Sequence, residues 1–172
     1  MHRILVLLLV MMVVGGLGPL VAQEASGRAE NDWRYLGGDP QSSQYSVLDQ
    51  INEKTIGSLG LLWYSDLPIG AGLVGNPLVM DNVVYQGGPY GSAVATDINT
   101  GKTLWSFVPN LGLDRYSPRA AYLATTKIGG LAIDDIKVYV SGGCSLFGLD
   151  RKAGKQQWRA EICDPTGRYG ST

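Results

Sequence analysis

The chain has 172 residues, a formal net charge of −1, two cysteines and one histidine, His2. Charges so nearly balanced, with no basic stripe, give no reason to expect a nucleic-acid partner. A lone histidine at the extreme N-terminus excludes a Ser-His-Asp or Cys-His nucleophile system and a histidine zinc site from the body of the chain, and two cysteines exclude a four-thiolate site.

The first element in chain order is a leader. Met1-His-Arg is followed by the apolar run Ile4 to Val14, then Gly15, Gly16, Gly18 and Pro19, and Ala22 offers a small residue for cleavage. This is the pattern of a secretory signal over residues 1–22, with an exported, periplasmic body and no membrane span after cleavage. The other reading is an uncleaved anchor, against which the glycines and proline argue. Residues 23–31 are small and polar and are expected to form a disordered lead. A short helical turn is expected around residues 52–58.

Two similar units follow, over about residues 75–125 and 126–172. Each opens with a short hairpin pattern: Pro77-Leu-Val-Met, the turn pair Asp81-Asn82, then Val83-Val-Tyr; and later Leu131-Ala-Ile, Asp134-Asp135, then Lys137-Val-Tyr-Val. Each continues with an eleven-residue phrase. Ala95-Thr-Asp-Ile-Asn-Thr-Gly-Lys-Thr-Leu-Trp105 returns 53 positions later as Gly148-Leu-Asp-Arg-Lys-Ala-Gly-Lys-Gln-Gln-Trp158. Asp97, Gly101 and Trp105 thus match Asp150, Gly154 and Trp158. A strand leading to Asp, a turn closed by Gly where positive φ is cheap, and a second strand bearing Trp make a second hairpin. Four short strands per period of about 50 residues suit a propeller blade, with the Trp as a packing plug between blades. The expected fold is all-β: a partial β-propeller of about two four-stranded antiparallel blades plus an N-terminal strand segment. Turn chemistry alone in a hairpin-rich protein is the competing explanation of the repeat.

Asp97 and Asp150 are carboxylates in turns and are expected to hydrogen-bond their own backbone rather than to act in catalysis. Cys144 and Cys163 flank the second hairpin, and counting back from its turn sets them nearly opposite. An exported protein would bridge them; a one-residue slip in register would leave two separate thiols.

Residues 32–52, beginning Asp32-Trp-Arg-Tyr-Leu-Gly-Gly-Asp-Pro, and Leu59-Gly-Leu-Leu-Trp63 resemble the N-terminus of pyrroloquinoline quinone (PQQ)-dependent alcohol dehydrogenases. The resemblance continues through Gly75-Asn-Pro-Leu-Val-Met-Asp-Asn-Val-Val-Tyr85, both Trp phrases and Ile162-Cys-Asp-Pro-Thr-Gly-Arg-Tyr-Gly-Ser-Thr172. It implies an eight-bladed propeller in which residues 61–65 supply a strand to the ring-closing blade. It also implies PQQ and calcium as cofactors, oxidation of an alcohol or aldehyde, electron transfer to a cytochrome c or a quinone, and the remaining propeller blades as partners. Where the family places a cofactor-binding Glu this chain has Val74, its adjacent cysteines fall on Leu123 and Ala124, and its cofactor-contacting Arg falls on Gly129. Arg119 and Lys127 lie in the same stretch as replacement cationic contacts, or as solvated loop charges. The family's calcium ligands and catalytic Asp lie beyond Thr172, so no catalytic residue is assigned and the active site is incomplete. The rival function is a noncatalytic PQQ-repeat propeller serving as a binding or envelope-assembly scaffold.

Overall fold

The computed structural model describes residues 32–66, 75–112, 114, 116, 130–164 and 166. The leader over residues 1–22 and the lead over 23–31 lie outside the described residues. Eight strands make two antiparallel meanders. The first is β1 (Leu78–Met80), β2 (Val83–Gly87), β3 (Ala93–Asp97) and β4 (Thr103–Phe107). The second is β5 (Leu131–Ile133), β6 (Lys137–Gly142), β7 (Ser145–Asp150) and β8 (Gln156–Glu161). These are the two four-stranded units that the repeat predicts. Of the expected helical turn over residues 52–58, Ile56–Ser58 forms a single 3-10 turn.

The turns follow from residue chemistry. Asp81 and Asn82 both have positive φ, 52° and 61°, the geometry of a two-residue hairpin that Asp and Asn tolerate better than other side chains. In the repeated phrase, Gly101 and Gly154 take φ of 70° and 67°, and their amides donate to the carbonyls of Asp97 and Asp150 at 2.9 and 2.8 Å. The pairing register slips at equivalent places, between Ala95 and Thr96 and between Gly148 and Leu149. The repeat therefore reaches down to the irregularity in the ladder.

Asp97 Oδ1 accepts from the Thr100 hydroxyl at 2.8 Å and from the Thr100 and Asn99 amides at 2.8 and 3.0 Å. Asp150 Oδ1 accepts from the Ala153 and Lys152 amides at 2.8 and 3.0 Å. Hydrogen bonds from Thr100, side chain first and then backbone, hold the Asp97 carboxyl below its ordinary value. A depressed folded-state value means a stabilisation present above the unfolded value of about 3.9 and lost as pH falls through the folded one. Asp97→Asn keeps the Oδ1 acceptor but not the charge, so its denaturation midpoint is expected to depend less on pH in that acid range than the wild-type midpoint. Urea titrations across the range check this, and parallel curves would refute it.

The sheets share one core of Met80, Tyr85, Ala93, Ala95 and Trp105 from the first and Val138, Val140, Phe147 and Leu149 from the second. Alternation in β6, with Val138 and Val140 buried and Tyr139 half-buried, sets which face meets the first sheet. Phe107 meets Phe147 edge-on with centroids 5.5 Å apart. Small residues allow the sheets to approach: a Cβ on Gly142 would collide with the carbonyl of Tyr90. Among the described residues no helix is long and apolar enough to cross a membrane.

The N-terminal segment departs from its expected form. No strand forms over residues 61–65, where Leu61, Leu62 and Tyr64 are exposed. A strand needs a ladder partner, and the ring-closing blade to which the resemblance assigns this one is not among the described sheets. The segment instead makes its ladder contact at Trp33, which exchanges backbone hydrogen bonds of 2.8 and 2.9 Å with Val79 and covers the free edge of β1.

Candidate functional site

Antiparallel alternation gives each sheet two ends. At one lie the tight turns containing Asp81, Ile98, Asp135 and Arg151. At the other lie Gly75, the β2–β3 turn from Gly88 to Ser92, residues 108–112, Gly130, the β6–β7 turn, and residues 162–164. Val74 immediately precedes Gly75. The connection holding Arg119, Leu123, Ala124, Lys127 and Gly129 leaves β4 and enters β5 at this second end. All six of these residues lie outside the described ones, so what surrounds the site is what the structure provides.

That frame is held by backbone and thiol chemistry. Gln86 Nε2 donates to the carbonyls of Gly75 and Gly87, both at 3.0 Å, tying down the residue next to Val74. The β2–β3 turn closes through Gly88 N to Ser92 O at 2.9 Å and Ser92 Oγ to Pro89 O at 2.7 Å, with Tyr90 at a φ of 62°. Tyr116, from the β4–β5 connection, is buried, and its hydroxyl accepts from the Cys144 amide at 3.0 Å. Cys144 is disulfide-bonded to Cys163 with Cα atoms 4.9 Å apart, joining the β6–β7 turn to the chain leaving β8. Beside them Arg159 lies over the Phe147 ring, donates to Asn110 O at 3.0 Å and pairs with Glu161 at 2.6 Å. Asn110, Leu111, Gly112, Arg159 and Glu161 line an open groove of about 420 Å³.

The opposite end carries indoles and charge. Trp63 Nε1 donates to Ile98 O at 2.7 Å and lies against Gly101; Trp105 Nε1 donates to Arg151 O at 2.9 Å and lies against Gly154. Trp158 lies against Gly148 within its own sheet. Arg151 has no signal of its own in the repeat, where it stands in the place of Ile98. Its guanidinium pairs with Asp81 at 2.8 Å, reaches the Tyr85 hydroxyl at 3.3 Å and donates to Asp135 O at 3.0 Å. Burial lifts the Tyr85 phenol above its ordinary value, and Arg151 offsets part of that rise. Arg34 bridges buried Asp32 and exposed Asp135, both at 2.9 Å, and so links the N-terminal segment to the second sheet.

At the positions where the resemblance implies cofactor contacts, this chain carries other side chains. Val74, Leu123, Ala124 and Gly129 offer no carboxylate, thiol or guanidinium, and among the described residues no group of three or more His, Cys, Asp or Glu is arranged to hold a metal ion.

Comparison with known proteins gives a consistent result. The chain is similar to lupanine 17-hydroxylase [cytochrome c] of a Pseudomonas species, 39% identical over 151 residues that span 87% of this chain and 22% of that protein. It is similar to 1-butanol dehydrogenase (cytochrome c) of Thauera butanivorans, 31% identical over 83% of this chain and 20% of that one. Its backbone superposes on quinohemoprotein alcohol dehydrogenase from Comamonas testosteroni with a TM-score of 0.68 and 28% identity, covering 80% of this chain and 20% of that structure. The chain thus spans about a fifth of the length of the relatives it matches. Residues 33–160 match the model of the PQQ glucose/ethanol/alcohol dehydrogenase β-propeller domain, and the chain belongs to that family.

Proposed function

We propose that these residues are the N-terminal part of an exported, periplasmic PQQ-dependent dehydrogenase that oxidises an alcohol or aldehyde and passes electrons to a cytochrome c or a quinone. The observation that carries this is family membership over residues 33–160 combined with coverage of about a fifth of two cytochrome c-linked relatives, a lupanine 17-hydroxylase and a 1-butanol dehydrogenase. In this reading the two sheets are the first blades of a closed propeller, and the indoles of Trp63 and Trp105 dock each unit on the next. The role of these residues is to position and to exclude water. PQQ and calcium, where bound, supply the redox chemistry and the Lewis acid, and their ligands come from the rest of the protein, with Arg119 and Lys127 as this chain's candidate contacts to an anionic cofactor.

The test is a PQQ titration of the full-length product with and without calcium, together with its intact mass. Calcium-dependent binding and a mass several times that of these residues are the expected results. A second reading is favoured by the specific loss of donors at Val74, Leu123, Ala124 and Gly129: a propeller that binds or scaffolds protein without a cofactor. Full length with no PQQ binding is its signature, and that outcome would displace the dehydrogenase.

A further inference from the structure

Arg159 and Glu161 stand on the face of β8 that looks toward the first sheet, because they pair across the ladder with Phe147 and Ser145, and Phe147 meets Phe107. There the guanidinium is fixed from several sides. Its Cζ lies over the Phe147 ring, 5.4 Å from the centroid, Nη1 donates to Asn110 O at 3.0 Å, and Nη2 is 2.6 Å from Glu161 Oε1. That last contact is close but not aligned: Nε and Nη2 are both buried, and neither makes a hydrogen bond among the described residues. They are the two nitrogens that point the same way, the edge on which a planar carboxylate seats two parallel bonds. Glu161 cannot seat itself so, since a carboxylate two positions along the same strand reaches the guanidinium at one nitrogen. Buried donors without acceptors are rare in folded proteins, and these belong to a residue lining the open groove of about 420 Å³.

We propose that this groove is a binding site for a small organic carboxylate, which takes the Nε–Nη2 edge of Arg159 in place of Glu161. The exchange substitutes one carboxylate for another, so the guanidinium keeps its counter-charge, and it replaces an unaligned contact by two aligned bonds. Glu161 is free to swing aside: its side chain is nearly half exposed, and its other oxygen accepts from Ser145 Oγ at a long 3.2 Å. The rest of the groove suits the ligand. The Gly112 amide donates to Asn110 Oδ1 at 3.1 Å, which leaves the Asn110 Nδ2 as a further donor, and Gly112 has no side chain to fill the space. The groove borders residues 110–112, where the chain leaves the first sheet toward Arg119 and Lys127, but contains neither of these candidate cofactor contacts.

The test uses the whole protein labelled with ¹⁵N-arginine, titrated at neutral pH with sodium acetate, sodium phosphate and sodium chloride at equal ionic strength. The Nε–H resonance of Arg159 is identified by its loss in Arg159→Lys. The expected result is a saturable shift of that resonance in acetate that neither chloride nor phosphate matches. Glu161→Gln removes the competing charge from an exposed position and is expected to tighten acetate binding by about tenfold, the scale of one charge-assisted hydrogen bond. No saturable shift in acetate, or the same shift in chloride, would overturn the site. Phosphate equal to acetate would overturn the carboxylate class, and an affinity unchanged in Glu161→Gln would overturn the exchange. None of these outcomes bears on the dehydrogenase reading, which keeps its own PQQ and mass tests.

Discussion

Trp105→Ala is expected to destabilise the protein by about 3 to 5 kcal/mol, the range for emptying a buried large aromatic site. Three losses coincide. The indole is buried against Gly154, whose φ of 67° and missing Cβ are what admit it. The Arg151 carbonyl loses its 2.9 Å donor, and Tyr85 loses its ring neighbour at 6.1 Å. Trp105→Phe keeps part of the apolar contact but not the N–H and is expected to fall between, at about 1 to 3 kcal/mol for the orphaned buried carbonyl. Trp158→Ala should cost less than either alanine or phenylalanine at 105, because Trp158 is only half-buried. Urea unfolding followed by far-UV circular dichroism measures all three, and equal penalties at positions 105 and 158 would contradict the inter-sheet role of the first indole.

Removing the Cys144–Cys163 bridge is expected to cost about 3 kcal/mol, the loop-closure value for a sequence separation of 19. The effect has a location as well as a size. The Cys144 amide is held by Tyr116, and the Ile162 amide donates to Cys144 O at 2.8 Å, so both sit on the bridged turn. In a Cys144→Ala/Cys163→Ala variant their hydrogen exchange should accelerate before that of β2 and β3. Denaturation midpoints with and without a dithiol give the energy in the wild type, and exchange by NMR gives the place. An unchanged midpoint after verified reduction would mean that the bridge only follows the fold.

Much of the architecture was legible because its determinants are local. Asp81-Asn82 announces a left-handed turn, and Asp, Gly and Trp at fixed offsets announce the longer hairpin in both units. Arg151 was not legible: inside the repeat it replaces Ile98, and only the folded sheets show that its partners are Asp81 and Tyr85, far away in sequence. Trp33 carried no repeat signal, and its pairing with Val79 depends on a free strand edge that exists only after β1 has formed. Conversely, the resemblance implies a strand over residues 61–65, but a ladder is a property of two segments. The candidate cofactor positions came only through resemblance, since a valine at position 74 carries no local mark of such a role.

The way each indole reaches forward also bears on how the protein is made. Trp63 bonds to a carbonyl 35 residues ahead and Trp105 to one 46 residues ahead. As a chain emerges from its N-terminus, every such contact completes as soon as the next unit appears, without waiting for a distant segment. Contacts of short reach close quickly, so the units are expected to fold one after another in order of synthesis. Synthesis would then deliver a growing stack that presents an unsatisfied indole, the growing end of the fold, to whatever comes next.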